Sequence, residues 1–181
     1  MDRFWLVTWT TYATWLPGDA RGFVTDLRDS ENHKYRLNQP ATECAADLPG
    51  LHAFAQASLR SKPVLLDRKH AEALLVQFQE TARYRGWTLL AIAIMTNHVH
   101  LVVAVSGDPE PEKLLQSFKA YGSRVLNQKF GCVPSETWWT ASGSTRKLPD
   151  GQAVKAAVQY VRKQRNALLV WVAPDVELPA D

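Results

Sequence analysis

Apolar and polar positions along the chain follow two periods. Residues 4–12 are rich in aromatic and β-branched side chains and predict a first strand, ended by Pro17-Gly18. From Asp19 to about Lys62 the chain is polar and punctuated by proline, without a clean period before Pro40. A short helix fits around 51–59. Residues 67–85 take up the helical period, with Ala71, Leu74, Leu75, Phe78 and Ala82 as the apolar stripe, Asp67 as N-cap and Gly86 as stop. His70, in the first turn, reads as solvated. Residues 87–95 are apolar on both faces and predict a buried strand. The next strand alternates: Val99, Leu101, Val103 and Val105 share one side, His98 and His100 the other. After the break at Pro109 and Pro111 comes a helix over 112–129, with Leu114, Leu115, Phe118, Tyr121, Val125 and Leu126 roughly on one side. Gly122 weakens it by about 1 kcal/mol. Residues 136–149 predict a hairpin or extended loop, 150–166 a helix striped by Val154, Ala157, Val158 and Val161, and 168–172 a last strand.

This order predicts an α+β sandwich, a mainly antiparallel sheet packed by helices. At 181 residues the chain reads as one domain over 1–181, with 13–62 as a long excursion and 174–181 as a flexible tail. An apolar fraction of 46% and a charged fraction of 22% are those of a globular protein, and no run approaches a membrane span or a signal peptide. Cys44 and Cys132 form neither a disulfide framework nor a zinc pattern, so a reducing cytoplasm is the expected setting. A net charge of +3 permits a nucleic-acid partner without demanding one.

The chemistry concentrates in two places. Imidazoles at i and i+2 on a strand lie about 7 Å apart along it, close enough for both to reach one divalent cation. The same spacing fits two polar residues on a half-exposed strand. Tyr160 and Gln164 stand one helical turn apart at the edge of the apolar stripe. Taken alone, they read as a packing phenol with its hydroxyl in water and a solvated amide.

Together, His98-Val99-His100 and Tyr160-x-x-x-Gln164 resemble the single-tyrosine HUH transposases of bacterial insertion sequences and their repeat-associated relatives, the REP-associated tyrosine transposases. The wording of 96–103 and of 8–22 is similar too, and the resemblance runs roughly from Phe4 to Val172. It implies a ferredoxin- or RRM-like palm. It also implies that Tyr160 is the nucleophile, forming a 5′-phosphotyrosine, with His98, His100 and Gln164 as ligands of Mg²⁺ or Mn²⁺. Neutral imidazoles plus an amide oxygen suit those ions better than structural zinc. Phosphotyrosine chemistry conserves the bond energy for rejoining, although a free phenol ionises only near pH 10 and needs help to attack. Tyr121 is a rival nucleophile, but the residue four positions on, Val125, cannot bind metal. Asn97 could brace the loop before His98 or simply cap a turn.

The resemblance implies single-stranded DNA with hairpin or palindromic ends as substrate, a homodimer, and action at the nucleoid. Lys119, Arg124, Trp138, Trp139, Arg146, Lys147, Arg162 and Lys163 are candidates for a basic, aromatic DNA groove, with Lys113 and Arg165 beside them. Arg21, Arg28, Lys34 and Arg36 are weaker ones. Two other readings stay open: a catalytically silent single-stranded nucleic-acid-binding module on the same scaffold, and a phosphoesterase that uses water.

Overall fold

A computed structural model describes residues 2–20, 25–28, 31, 33–37, 48–107 and 109–174. Arg21, Cys44 and the tail from 175 lie outside the described residues, as do the side chains of Arg28, Lys34 and Arg36. The chain divides into two compact units, Met1–Tyr12 with Val64–Asp181, and Ala13–Pro63.

The smaller unit covers the segment read as an excursion. Where no period was visible it holds an antiparallel ribbon of β2 (Thr25–Arg28) and β3 (Lys34–Leu37), followed by α1 (Pro49–Ala57). Two four-residue strands are too short to print an alternation that stands out from a polar background.

The larger unit is built on β1 (Asp2–Thr10), α2 (Arg68–Tyr84), β4 (Thr88–Ile94), β5 (His98–Ser106), α3 (Pro111–Phe130), β6 (Ser144–Leu148), α4 (Gly151–Arg162) and β7 (Leu169–Val172). The strands form one sheet in the order β6-β1-β5-β4-β7, antiparallel at every junction. Its first six elements run β-α-β-β-α-β, which is the ferredoxin-like arrangement. The fold is therefore the α+β, mainly antiparallel sheet packed by helices that the element order predicted, in the palm arrangement that the resemblance implied. Asp67 caps α2 as expected, accepting from the backbone N–H of His70 while the His70 ring accepts from the N–H of Asp67. His70 is not solvated as read: its ring packs 4.4 Å from Phe130 and 5.4 Å from Trp138.

The two faces of the sheet bury different partners. Trp5, Val7, Trp9, Val99, Leu101, Val103 and Val105 pack under α2 and α3 with Leu74, Phe78, Leu114 and Phe118. The opposite face, with Leu90, Ala91, Ala93 and Val102, packs under α4 through Val154, Ala157, Val158 and Val161. A register shift between Leu89 and Ala91 turns both Leu90 and Ala91 toward the α4 side.

Of the hairpin and the extended loop expected over 136–149, it is the loop that forms, and it runs into β6. Residues 138–140 cling to the end of β1: Tyr12 N–H donates to the Trp138 carbonyl, and Thr140 N–H to that of Thr10. β6 then pairs with β1 from Phe4↔Leu148 to Thr8↔Ser144. Strand partners from opposite ends of the chain replace the local turn that the sequence suggested.

Candidate active site

β5 is the middle strand of the sheet, hydrogen-bonded on both sides, and its register sets the site. Across the α4 face one row of facing residues reads Ser144, Thr8, His100, Ala93, Val170. The next row toward the start of β5 pairs His98 with Thr10. Alternation thus puts both imidazoles on the α4 face, while Val99 and Leu101 fill the core on the other.

The two rings lie 4.7 Å apart between centroids, edge to face. His100 is only 7% exposed and His98 half-buried, so the reading of two polar residues on a half-exposed strand fails for His100. Each ring uses its Nδ1. His98 Nδ1 lies 2.6 Å from Asn97 Oδ1, and His100 Nδ1 lies 2.8 Å from the Thr8 hydroxyl. Burial lowers the pKa of His98. Burial first, and the charge of His98 second, push that of His100 down to about 4. Both rings are therefore neutral at pH 7, the state that ligates metal. Among the described residues no group of three His, Cys, Asp or Glu could hold an ion, so the imidazole pair offers two nitrogen donors without a third from that set. The residues present fit a divalent cation on those terms.

Tyr160 projects from the last turn of α4 over this pair, its ring 5.2 Å from that of His100 and perpendicular to it within 14° (76° between planes). It is 49% exposed, so the ring meets both the imidazole and solvent. The apolar stripe Val154, Ala157, Val158 and Val161 seats the helix and fixes that orientation. Gln164 departs from the expected i, i+4 helical pairing. α4 ends at Arg162 with Lys163 as C-cap, and the Gln164 amide nitrogen turns back to donate to the Tyr160 carbonyl at 3.3 Å. The chain then returns to the sheet, where Leu168 N–H donates to the carbonyl of Ile94, the residue facing Val99. Gln164 thus lies on the stretch that rounds the His98 end of the sheet, its side chain hydrogen-bonded to Tyr160 and not to either imidazole.

The candidate DNA residues divide by face. Arg146 faces Leu6 on the imidazole side of the sheet and is exposed, and Arg162 and Lys163 are exposed at the end of α4. Lys147, one position on, turns to the opposite face, its ammonium 5.8 Å from the Trp5 ring. Trp138 and Trp139 are each 4% exposed, and their indole N–H groups donate inward, to Asn127 Oδ1 and to the Lys119 carbonyl. They are structural, as core packing accounts for them, and are not available to stack on bases. Lys119 is likewise committed: its ammonium donates to the carbonyls of Thr140, Ala141 and Ser142, and burial pushes its pKa down to about 8. Arg124 and Lys113 line a cavity of about 580 Å³ with Arg85, Gln116, Ser117, Ala120 and Tyr121. That cavity is on α3, beside the end of α2, and both helices pack on the sheet face turned away from the imidazoles, which separates Tyr121 from them. Thr8 is the site residue that sequence reading missed. It is 92 positions from His100, and only the strand register brings the two together.

The model of one protein family, described as "Transposase IS200 like", matches residues 55–164. No curated protein matches the chain. Among solved structures, the chain is similar to a candidate transposase from Deinococcus radiodurans R1, at 14% identity, covering 91% of this chain and 92% of that one with a TM-score of 0.49. It is also similar to a REP-associated tyrosine transposase bound to a REP hairpin, at 11% identity, covering 88% of this chain, with a TM-score of 0.43. The chain spans 64% of the length of that second protein.

Proposed function

The chain belongs to the IS200-like transposase family, and from that premise we propose that it cleaves and rejoins single-stranded DNA at hairpin or palindromic ends through Tyr160. The observation that carries the reading is the meeting, within one chain, of the Tyr160 ring with the neutral imidazole pair. Neither a packing phenol nor a silent binding module needs that combination.

The roles follow from the side chains. The Tyr160 hydroxyl, on a half-exposed ring, attacks the scissile phosphorus; an O–P bond forms to the phenol, the bond to the 3′ oxygen breaks, and a 3′-hydroxyl leaves. The reverse attack by a 3′-hydroxyl rejoins a strand with the bond energy retained. His98 and His100 would hold a divalent cation, Mg²⁺ or Mn²⁺, through their Nε2 atoms, with the Gln164 amide oxygen as third ligand. Such an ion, when bound, draws charge from a nonbridging phosphate oxygen and orients the phosphorus. Arg146, Arg162 and Lys163, on the imidazole side, are the cations placed to follow the DNA backbone.

The test is to incubate the chain with labelled single-stranded hairpin DNA and Mn²⁺, then denature. A protein–DNA adduct, absent with chelator and in Tyr160→Phe, is the expected result. Cleavage without an adduct would favour the water-using phosphoesterase, and retention of DNA without cleavage the silent binder.

A further inference from the structure

We infer that Thr8 and Asn97 are positioning residues that set the ring tautomers of His100 and His98, so that both Nε2 atoms present lone pairs on the same side. The inference rests on the metal-dependent reading above and adds two residues to it. In a neutral imidazole one nitrogen donates and the other accepts, and the partner of the first decides what the second can bind. Asn97 Oδ1 is an amide oxygen and can only accept, so His98 Nδ1, at 2.6 Å, carries the proton and His98 Nε2 is bare. Thr8 Oγ1, at 2.8 Å from His100 Nδ1, is able to donate or accept, and in the accepting role we assign to it His100 Nε2 is left bare. Orienting oxygens of this kind behind metal-binding histidines raise affinity as well as fixing the ring.

Other features of the structure separate this role from simple support. The turn before β5 is held by backbone groups: the carbonyl of Asn97 accepts both the N–H of Thr11, at 2.9 Å, and its hydroxyl, at 3.2 Å. The N–H of Met95 closes the turn onto the carbonyl of His98. The Asn97 side chain is therefore not needed to cap it. Thr8 sits inside β1, paired on both sides by backbone hydrogen bonds, so its place does not depend on its hydroxyl either. In both cases the polar atom is directed at a ring.

Nitrogen NMR of histidine-labelled full-length chain at pH 7.5, without metal or DNA, reads the tautomers directly. Both rings are expected to carry the proton on Nδ1. Thr8→Val, which keeps the branched shape, is expected to move His100 toward the Nε2–H form, and Asn97→Leu to do so for His98. Each variant is expected to weaken Mn²⁺ binding, titrated with the metal alone, by about 10–100-fold. Thr8→Ser and Asn97→Asp, which retain the acceptor, are expected to restore both readouts. Melting curves identify a variant that has lost its fold, and the two conservative variants then decide. Wild-type rings protonated on Nε2 overturn the inference, as do variants with unchanged tautomers and unchanged Mn²⁺ affinity. The NMR readout needs neither cleavage nor DNA, so its failure is distinct from failure to form the adduct.

Discussion

Acidification removes stability from this protein through His100. The ring is 7% exposed, and its neighbours across the sheet are Thr8 and Ala93, neither of which offers a compensating charge. Its pKa is about 4 in the folded chain against 6.5 as the ordinary value. Between those limits the unfolded chain binds a proton that the folded chain does not, so stability falls as pH falls through that window and is fully present above about pH 6.5. One such proton is worth about 1.4 kcal/mol per pH unit, so at pH 5 His100 alone costs on the order of 2 kcal/mol, or about 4–8 °C in melting temperature for a chain of this size. The assay is denaturant unfolding followed by tryptophan fluorescence at pH 7.5 and pH 5, in the wild type and in His100→Asn. Carboxylates titrate in both proteins and subtract, and the share of His98, whose charge acts on His100, is removed by making the same comparison in a His98→Asn background. The variant should lose about 2 kcal/mol less than the wild type over that interval. Equal losses would falsify the assignment of a buried, neutral ring to His100.

Three further outcomes are expected. In Gly122→Ala, about 1 kcal/mol of helix propensity is gained, but the added Cβ lies 3.0 Å from Phe78 Cε1 and 3.2 Å from Leu74 Cδ2. Trp9 and Phe118 hold the Phe78 ring edge-on, so overpacking of about 1–3 kcal/mol outweighs the gain and the melting temperature drops; a rise would show the α2–α3 contact to be loose. Gln164→Ala should raise the Mn²⁺ concentration needed for half-maximal adduct formation, and an unchanged requirement removes Gln164 from the ligand set. Arg146→Ala should weaken binding of single-stranded DNA and lower its salt slope by about 1, with Lys147→Ala leaving both nearly unchanged; equal effects would refute the division by sheet face.

Elements with strong periods were legible in the sequence. The alternation of β5 placed Val99 and Leu101 against the core and His98 and His100 opposite, and the stripe of α4 put Tyr160 at its edge. That the phenol and the imidazoles meet was legible only by resemblance, because periodicity assigns a residue to a face but not a face to a partner. What escaped reading depends on distant pairing. β6 joins β1 across most of the chain, so the turn-rich stretch before it imitated a local hairpin. Trp138, Trp139 and Lys119 carry the composition of a DNA groove, yet their polar atoms satisfy backbone carbonyls and an amide, a use that residue type alone does not reveal. Gln164 sat within a helical pattern that ends at Arg162.

The row that joins Thr8 to His100, with Tyr160 above it, also orders events during synthesis. Thr8 precedes His100 by 92 positions, and Tyr160 comes later in the chain than either. Contacts this far apart in sequence close late. A growing chain therefore holds both imidazoles well before Tyr160 exists to stand over them, and the row is complete only once α4 has been made.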